Sequence, residues 1–187
     1  MTAPTSSRLA DLTLVGLAVI AVALAGASYA WPRVGGSKEV LSAPLELVEL
    51  VHQRLPPVTV RHVDGTVAPY DPAANGRATI LLVFRSTCPV CEANSPSWAR
   101  LVGKTRSNAR VIAVATEPLE PGRAWVQRHS LPVDDVIALD GDGLARWHLT
   151  RVPTTVLTDK DGHVLEALVG PLRDSDIDVL VSKARGS

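Results

Sequence analysis

A nearly continuous apolar run, Ala78-Thr79-Ile80-Leu81-Leu82-Val83-Phe84, ends four residues before Cys88, the first of two cysteines separated by Pro89 and Val90. No other feature limits the fold as much. Apolar side chains on both alternating sides mark a strand covered on both faces. Pro89 then suits the first position of a helix, where a missing N–H costs nothing, and the pattern carries that helix to about Gly103. A buried strand running straight into a helix belongs to a layered α/β arrangement.

The remaining segments extend that reading. Val58 to Val63 alternates like a strand, Asp64-Gly65 signals a hairpin, and a short second strand follows. Asn75-Gly76 marks another turn. Strands are expected at Arg110–Thr116 and Val136–Leu139, and helices at Gly122–His129, Asp142–Leu149 and Asp174–Arg185. Thr154 to Gly170 reads as strand, turn at Asp161-Gly162, strand. This order predicts a mixed central sheet flanked by helices, in a domain spanning 55–187. Residues 32–54 read as a linker. Within it, Leu47, Leu50 and Val51, with Leu55 beyond, lie near one face at helical spacing, so Pro44–Leu55, stopped by Pro56-Pro57, reads either as a short docking helix or simply as the start of the domain.

Ahead of the linker, Leu12 to Trp31 contains no charged residue. As a helix its apolar part would be about 28 Å long, close to the hydrocarbon thickness of a bilayer. Tyr29 and Trp31 stand at one end, where amphipathic rings favour the interface. Residues 12–31 are therefore read as a single-pass transmembrane helix after a short flank, 1–11. A cleaved signal peptide is the rival, since Ser28-Tyr29-Ala30 approximates a small-x-small cleavage site. Against it stand the length of the run and a single preceding basic side chain, Arg8. Flanking charge leaves the orientation nearly tied, with Arg8 on one side and Arg33 and Lys38 on the other.

Lys plus Arg and Asp plus Glu each total 19, so the chain offers no basic field for nucleic acid. Two cysteines cannot staple a disulfide-rich scaffold. They have no second Cys-x-x-Cys and no closely spaced His pair to complete a metal site. A redox pair fits better. Cys88 stands where strand gives way to helix, and its sulfur meets the positive end of the helix dipole and free backbone N–H groups, both of which stabilise a thiolate. Cys91, one turn on and more enclosed, is placed to resolve a mixed disulfide formed by Cys88. No cofactor is needed for that chemistry.

With these residues in view, Ile80 to Trp98 resembles the active-site strand, loop and helix of thioredoxin-like proteins. Pro96, eight residues after Cys88, matches the family's kink-forming proline. Val152-Pro153-Thr154 resembles its cis-proline loop, and so implies that these three residues shape the groove where a client's extended backbone docks. The 62 residues from Cys91 to Pro153 leave room for an extra strand–helix unit, at about Val133 to Leu149. That insert, the anchor and the N-terminal hairpin are together similar to the TlpA/ResA group of membrane-anchored thiol–disulfide oxidoreductases. "STCPVC" also resembles the accessory protein D of methylamine utilisation. The resemblance implies a catalytic domain on the periplasmic side, protein thiol or disulfide clients, and a membrane thiol carrier that donates electrons.

Three positions depart from minimal thioredoxins. Thr87 replaces the usual Trp before the first Cys. Leu82 stands at the position of the buried acid. Glu117 instead matches an acid found in the TlpA/ResA group, where it could relay the proton of Cys91. Pro89 and Val90 carry no charge between the cysteines, which points to a reductant, unless the Arg85 guanidinium lies against Cys88. A non-enzymatic assembly or copper-handling chaperone and a thiol peroxidase remain the alternative functions. The peroxidase Pro-x₃-Thr-x₂-Cys setting is absent before Cys88.

Overall fold

The computed structural model describes residues 49–62 and 64–187. The segment 12–31 expected as an anchor, the flank, most of the linker and Val63 lie outside the described residues. Among those described, no helix is long and apolar enough to cross a membrane.

Seven strands, β1 (Val58–His62), β2 (Val67–Tyr70), β3 (Ala78–Phe84), β4 (Ala109–Ala115), β5 (Asp135–Leu139), β6 (Thr154–Thr158) and β7 (Val164–Val169), form one sheet in the order β2-β1-β5-β4-β3-β6-β7. β3, β4 and β5 are mutually parallel, and every other pairing is antiparallel. The mixed sheet expected from the sequence is therefore present. The insert supplies β5, which pairs on one side with β4 and on the other with β1.

Among the described residues there are four helices, α1 (Pro89–Thr105), α2 (Leu119–Arg128), α3 (Gly141–Arg146) and α4 (Asp174–Arg185). All seven residues of β3 are buried, as a central strand requires. Ile80, Leu82 and Phe84 join a core with Trp98, Trp125 and Leu180 from α1, α2 and α4. Leu81 and Val83 join a second core with Leu50, Leu55, Tyr70 and Trp147. Burial of each such side chain contributes roughly 1.5–3 kcal/mol. Trp147 Nε1 donates to Pro56 O at 2.8 Å, fixing the end of α3 against the chain that enters β1.

Of the two readings of Pro44–Leu55, the docking helix is not seen in the described part. Residues 49–52 form turns, and Arg54 bridges to His163. His52 N–H donates to Val164 O at 2.8 Å and Val164 N–H to Gln53 O at 2.9 Å. Backbone pairing with a segment more than a hundred residues away thus replaces helix in the described part of Pro44–Leu55, and Leu50 is already in the core. Beside this pairing, the turn signal between β6 and β7 holds, with Gly162 at φ +84°, as does Gly65 at φ +84° between β1 and β2.

Candidate active site

The strand β3 ends at Phe84, and a turn closed by Cys88 N–H to Arg85 O at 3.1 Å delivers Cys88 to the N-cap of α1. Its backbone is extended there, and its half-buried sulfur accepts a hydrogen bond from Cys91 N–H at 3.3 Å. One of the orphan donors of the helix start is thereby aimed at the sulfur itself. Cys91 is 0 % exposed, and burial, reinforced by the adjacent Cys88 sulfur, pushes its thiol from 9.0 up to about 12. The pair is chemically divided: one sulfur capped by N–H and reachable from solvent, the other enclosed and protonated at neutral pH. Arg85 Nη2 donates to Thr116 O at 3.3 Å.

Pro96 lies inside α1, which nevertheless continues to Thr105. A proline removes the donor owed to the carbonyl four residues earlier, here Glu92 O. Ser95 Oγ–H supplies that bond instead, at 2.9 Å. The same hydroxyl lies 3.1 Å from His129 Nδ1, while His129 Nε2 and Trp125 Nε1 each lie 3.0 Å from Glu92 Oε2. Desolvation pushes the Glu92 carboxyl up, but the bonds from Trp125 and His129 outweigh it and hold it below its ordinary value. This knot ties the first turns of the cysteine helix to α2. Sequence reasoning missed it, because its partners are 33 to 37 residues apart on two helices and have no shared spacing. Deeper in α1, Trp98 Nε1 donates to Thr155 Oγ1 at 2.9 Å, anchoring the helix on β6.

The remaining predicted residues come from two other segments. Glu117, just beyond β4, accepts from the Ser86 amide at 2.5 Å, so its carboxylate is held at the loop that precedes Cys88. The Val152–Pro153 bond is cis, immediately before β6. Pro153 O accepts from Gly170 N–H and Thr154 Oγ1 donates to Arg151 O, both at 2.8 Å. Thr154 is buried and Val152 half-buried. Leu82 is fully buried in an apolar setting, so the acid of minimal thioredoxins has no counterpart at that position.

The family model described as AhpC/TSA matches residues 51–168, which include both cysteines, Glu117 and the cis-proline loop. The chain belongs to the AhpC/TSA family. Its thioredoxin-like fold agrees with the solved structure of a putative thiol:disulfide interchange protein DsbE from Chlorobium tepidum, at 22% identity and a TM-score of 0.58, covering 73% of this chain and 98% of that one. Methylamine utilization protein MauD of Methylobacillus flagellatus is 28% identical over 127 residues, covering 65% of this chain and 60% of the relative. Thiol-disulfide oxidoreductase ResA of Halalkalibacterium halodurans is 25% identical over 105 residues, covering 55% and 60%. This AhpC/TSA chain thus spans about 60% of the length of each of these curated relatives.

Proposed function

We propose that the chain is a thiol–disulfide oxidoreductase, tethered to the membrane by residues 12–31, with its catalytic domain on the periplasmic side and acting as a reductant of protein disulfides. The observation that carries this reading is the division of the cysteine pair, with Cys88 capped by Cys91 N–H and Cys91 buried. The Cys88 thiolate attacks one sulfur of a client disulfide, and the other client sulfur leaves as a thiolate. Cys91 then gives up its proton and attacks Cys88 Sγ, releasing the second client sulfur. The client gains two electrons, and a Cys88–Cys91 disulfide remains for a membrane thiol carrier to reduce. Glu117 is the proposed acceptor of the Cys91 proton; in support, its carboxylate is fixed at the loop that holds Cys88. Val152, Pro153 and Thr154 are the proposed wall along which the client backbone lies.

The test is capture. Cys91→Ala should accumulate mixed disulfides through Cys88 in cells, and Cys88→Ala should not. The full-length protein should resist a carbonate wash of membranes, and a mature N-terminus near Trp31 would show cleavage instead. Membership of the AhpC/TSA family favours one second reading, a thiol peroxidase. Leu81 and Arg85 occupy the places where that chemistry has Pro and Thr. Peroxide consumption without reduction of insulin disulfides would decide for it.

A further inference from the structure

Two open cavities lie outside the carboxyl ends of the parallel strands β3, β4 and β5, where α/β sheets commonly receive ligands. The larger, about 820 Å³, is bounded by the β1–β2 hairpin, the loop after β4 and the start of α3. The smaller, about 510 Å³, reaches Val152 beside the cis-proline. They share Arg85, Thr116, Gly141 and Leu144, and so form one groove running away from the active-site loop. In the smaller cavity Arg85 is the only charged lining residue, among Leu144, Ala145, Leu149 and Val152.

The charges along this groove are unevenly satisfied. Glu117 is engaged by the Ser86 amide, Asp140 caps α3 through Gly143 N–H at 2.8 Å, and Glu120 faces Arg123 at 3.7 Å. Two cations of the groove lack a carboxylate partner among the described residues: Arg61, which lines the larger cavity alone and donates to Gly65 O at 3.3 Å, and Arg85, which lines both cavities and donates to Thr116 O. Arg85 is exposed, and the Arg85–Cys88 turn fixes its backbone three residues from the reacting sulfur. A carboxylate arriving at the junction of the two cavities would meet a guanidinium free to bind it in a fork.

We propose that this groove docks an extended segment of the client protein, and that Arg85 selects clients carrying an acidic residue near the reacting cysteine, with an apolar neighbour seated against Leu144 and Val152. This rests on the reading that the chain exchanges disulfides with proteins, and it adds which proteins those are.

The probe is a set of short peptides whose cysteine is joined to thionitrobenzoate, with a single Asp, Asn or Lys moved through the positions flanking the cysteine. The reduced full-length protein in detergent attacks the peptide sulfur and releases coloured thionitrobenzoate. At low salt, Asp at one position should raise the second-order rate about 3- to 10-fold over Asn. High salt should shrink that ratio. Arg85→Gln should bring it close to one, and Arg85→Glu should transfer the preference to Lys, which a merely structural role for Arg85 would not do. Equal rates for Asp and Asn at every position, or a preference that survives Arg85→Gln, overturns the proposal. Hydroxyethyl disulfide, too small to use the groove, separates the two levels: failure to reduce it, together with failure on every peptide, removes the oxidoreductase reading and this inference with it.

Discussion

Replacing Cys88 by Ser leaves Cys91 as the only thiol of the chain and exposes how far burial silences it. The Cys91 thiol lies at about 12 against an ordinary 9.0, and burial, the first cause, persists in the variant. Three pH units would mean about a thousandfold less thiolate at neutral pH, an upper bound here because the part of the rise due to the Cys88 sulfur is lost in the variant. A more basic thiolate is also more nucleophilic, by roughly 15- to 30-fold over that interval, so chemistry alone should slow alkylation by at most about 30- to 60-fold. Full enclosure of the sulfur slows it further. The assay is iodoacetamide labelling of full-length Cys88→Ser at pH 7, followed by mass spectrometry, with the same protein in guanidinium as the accessible reference. Cys91→Ser, which keeps the capped and reachable sulfur, should label much faster than folded Cys88→Ser. If folded Cys88→Ser labels within tenfold of its unfolded form, or as fast as Cys91→Ser, the division of labour between the two sulfurs is wrong.

Three further outcomes are expected. With no charge between the cysteines and Arg85 turned to Thr116 O, the disulfide should have a potential nearer −270 mV than −120 mV in glutathione buffers; a value above about −180 mV would reverse the direction of electron flow. Gly122→Ala should lower Tm by roughly 3–6 °C, because the added Cβ would lie 2.6 Å from Ala115 Cβ, and overpacking outweighs the helix propensity gained; an unchanged or raised Tm would contradict this. Burial raises Tyr70 from 10.0 to about 12, as it raises Cys91, so the stability these groups lend the reduced protein is complete below pH 9 and is lost as pH climbs towards 12. Tyr70→Phe removes a buried hydroxyl that has no partner among the described residues. It should be neutral or stabilising by up to about 1 kcal/mol at pH 7 and should move alkaline unfolding, followed by circular dichroism, to higher pH; an unmoved midpoint would count against the assignment.

What could be read in advance was what local chemistry decides. The span of β3 coincides with its apolar run, since a strand buried on both faces needs no partner to be recognised. Cys88, Pro89 and Cys91 announce a helix start whatever surrounds them. The sequence reading starts α2 at Gly122, three residues late; Pro121 is tolerated in the first turn, where its missing donor is not needed. Residues 49–55 carry helical spacing, yet their backbone pairs with the β6–β7 hairpin, a partner no window of sequence contains. The Glu92–Trp125–His129 contacts and the Arg85 groove are likewise products of tertiary placement.

The enclosure of Cys91 has a consequence for how the chain is made. The core that hides it includes Leu119, Trp125, Leu157 and Leu172, all of which follow it in sequence. β3 cannot complete its ladder until Thr154–Thr158 is available, and such long-range pairing is slow. Synthesis runs from the N-terminus, so both thiols emerge before the residues that will separate their chemistry. Throughout that interval Cys91 is an ordinary solvent-facing thiol, as open as Cys88 to capture by an oxidant or by another chain. The period of greatest exposure to wrong disulfides therefore falls between synthesis of Cys91 and synthesis of Leu172, when the nascent protein has two equivalent cysteines and no active site.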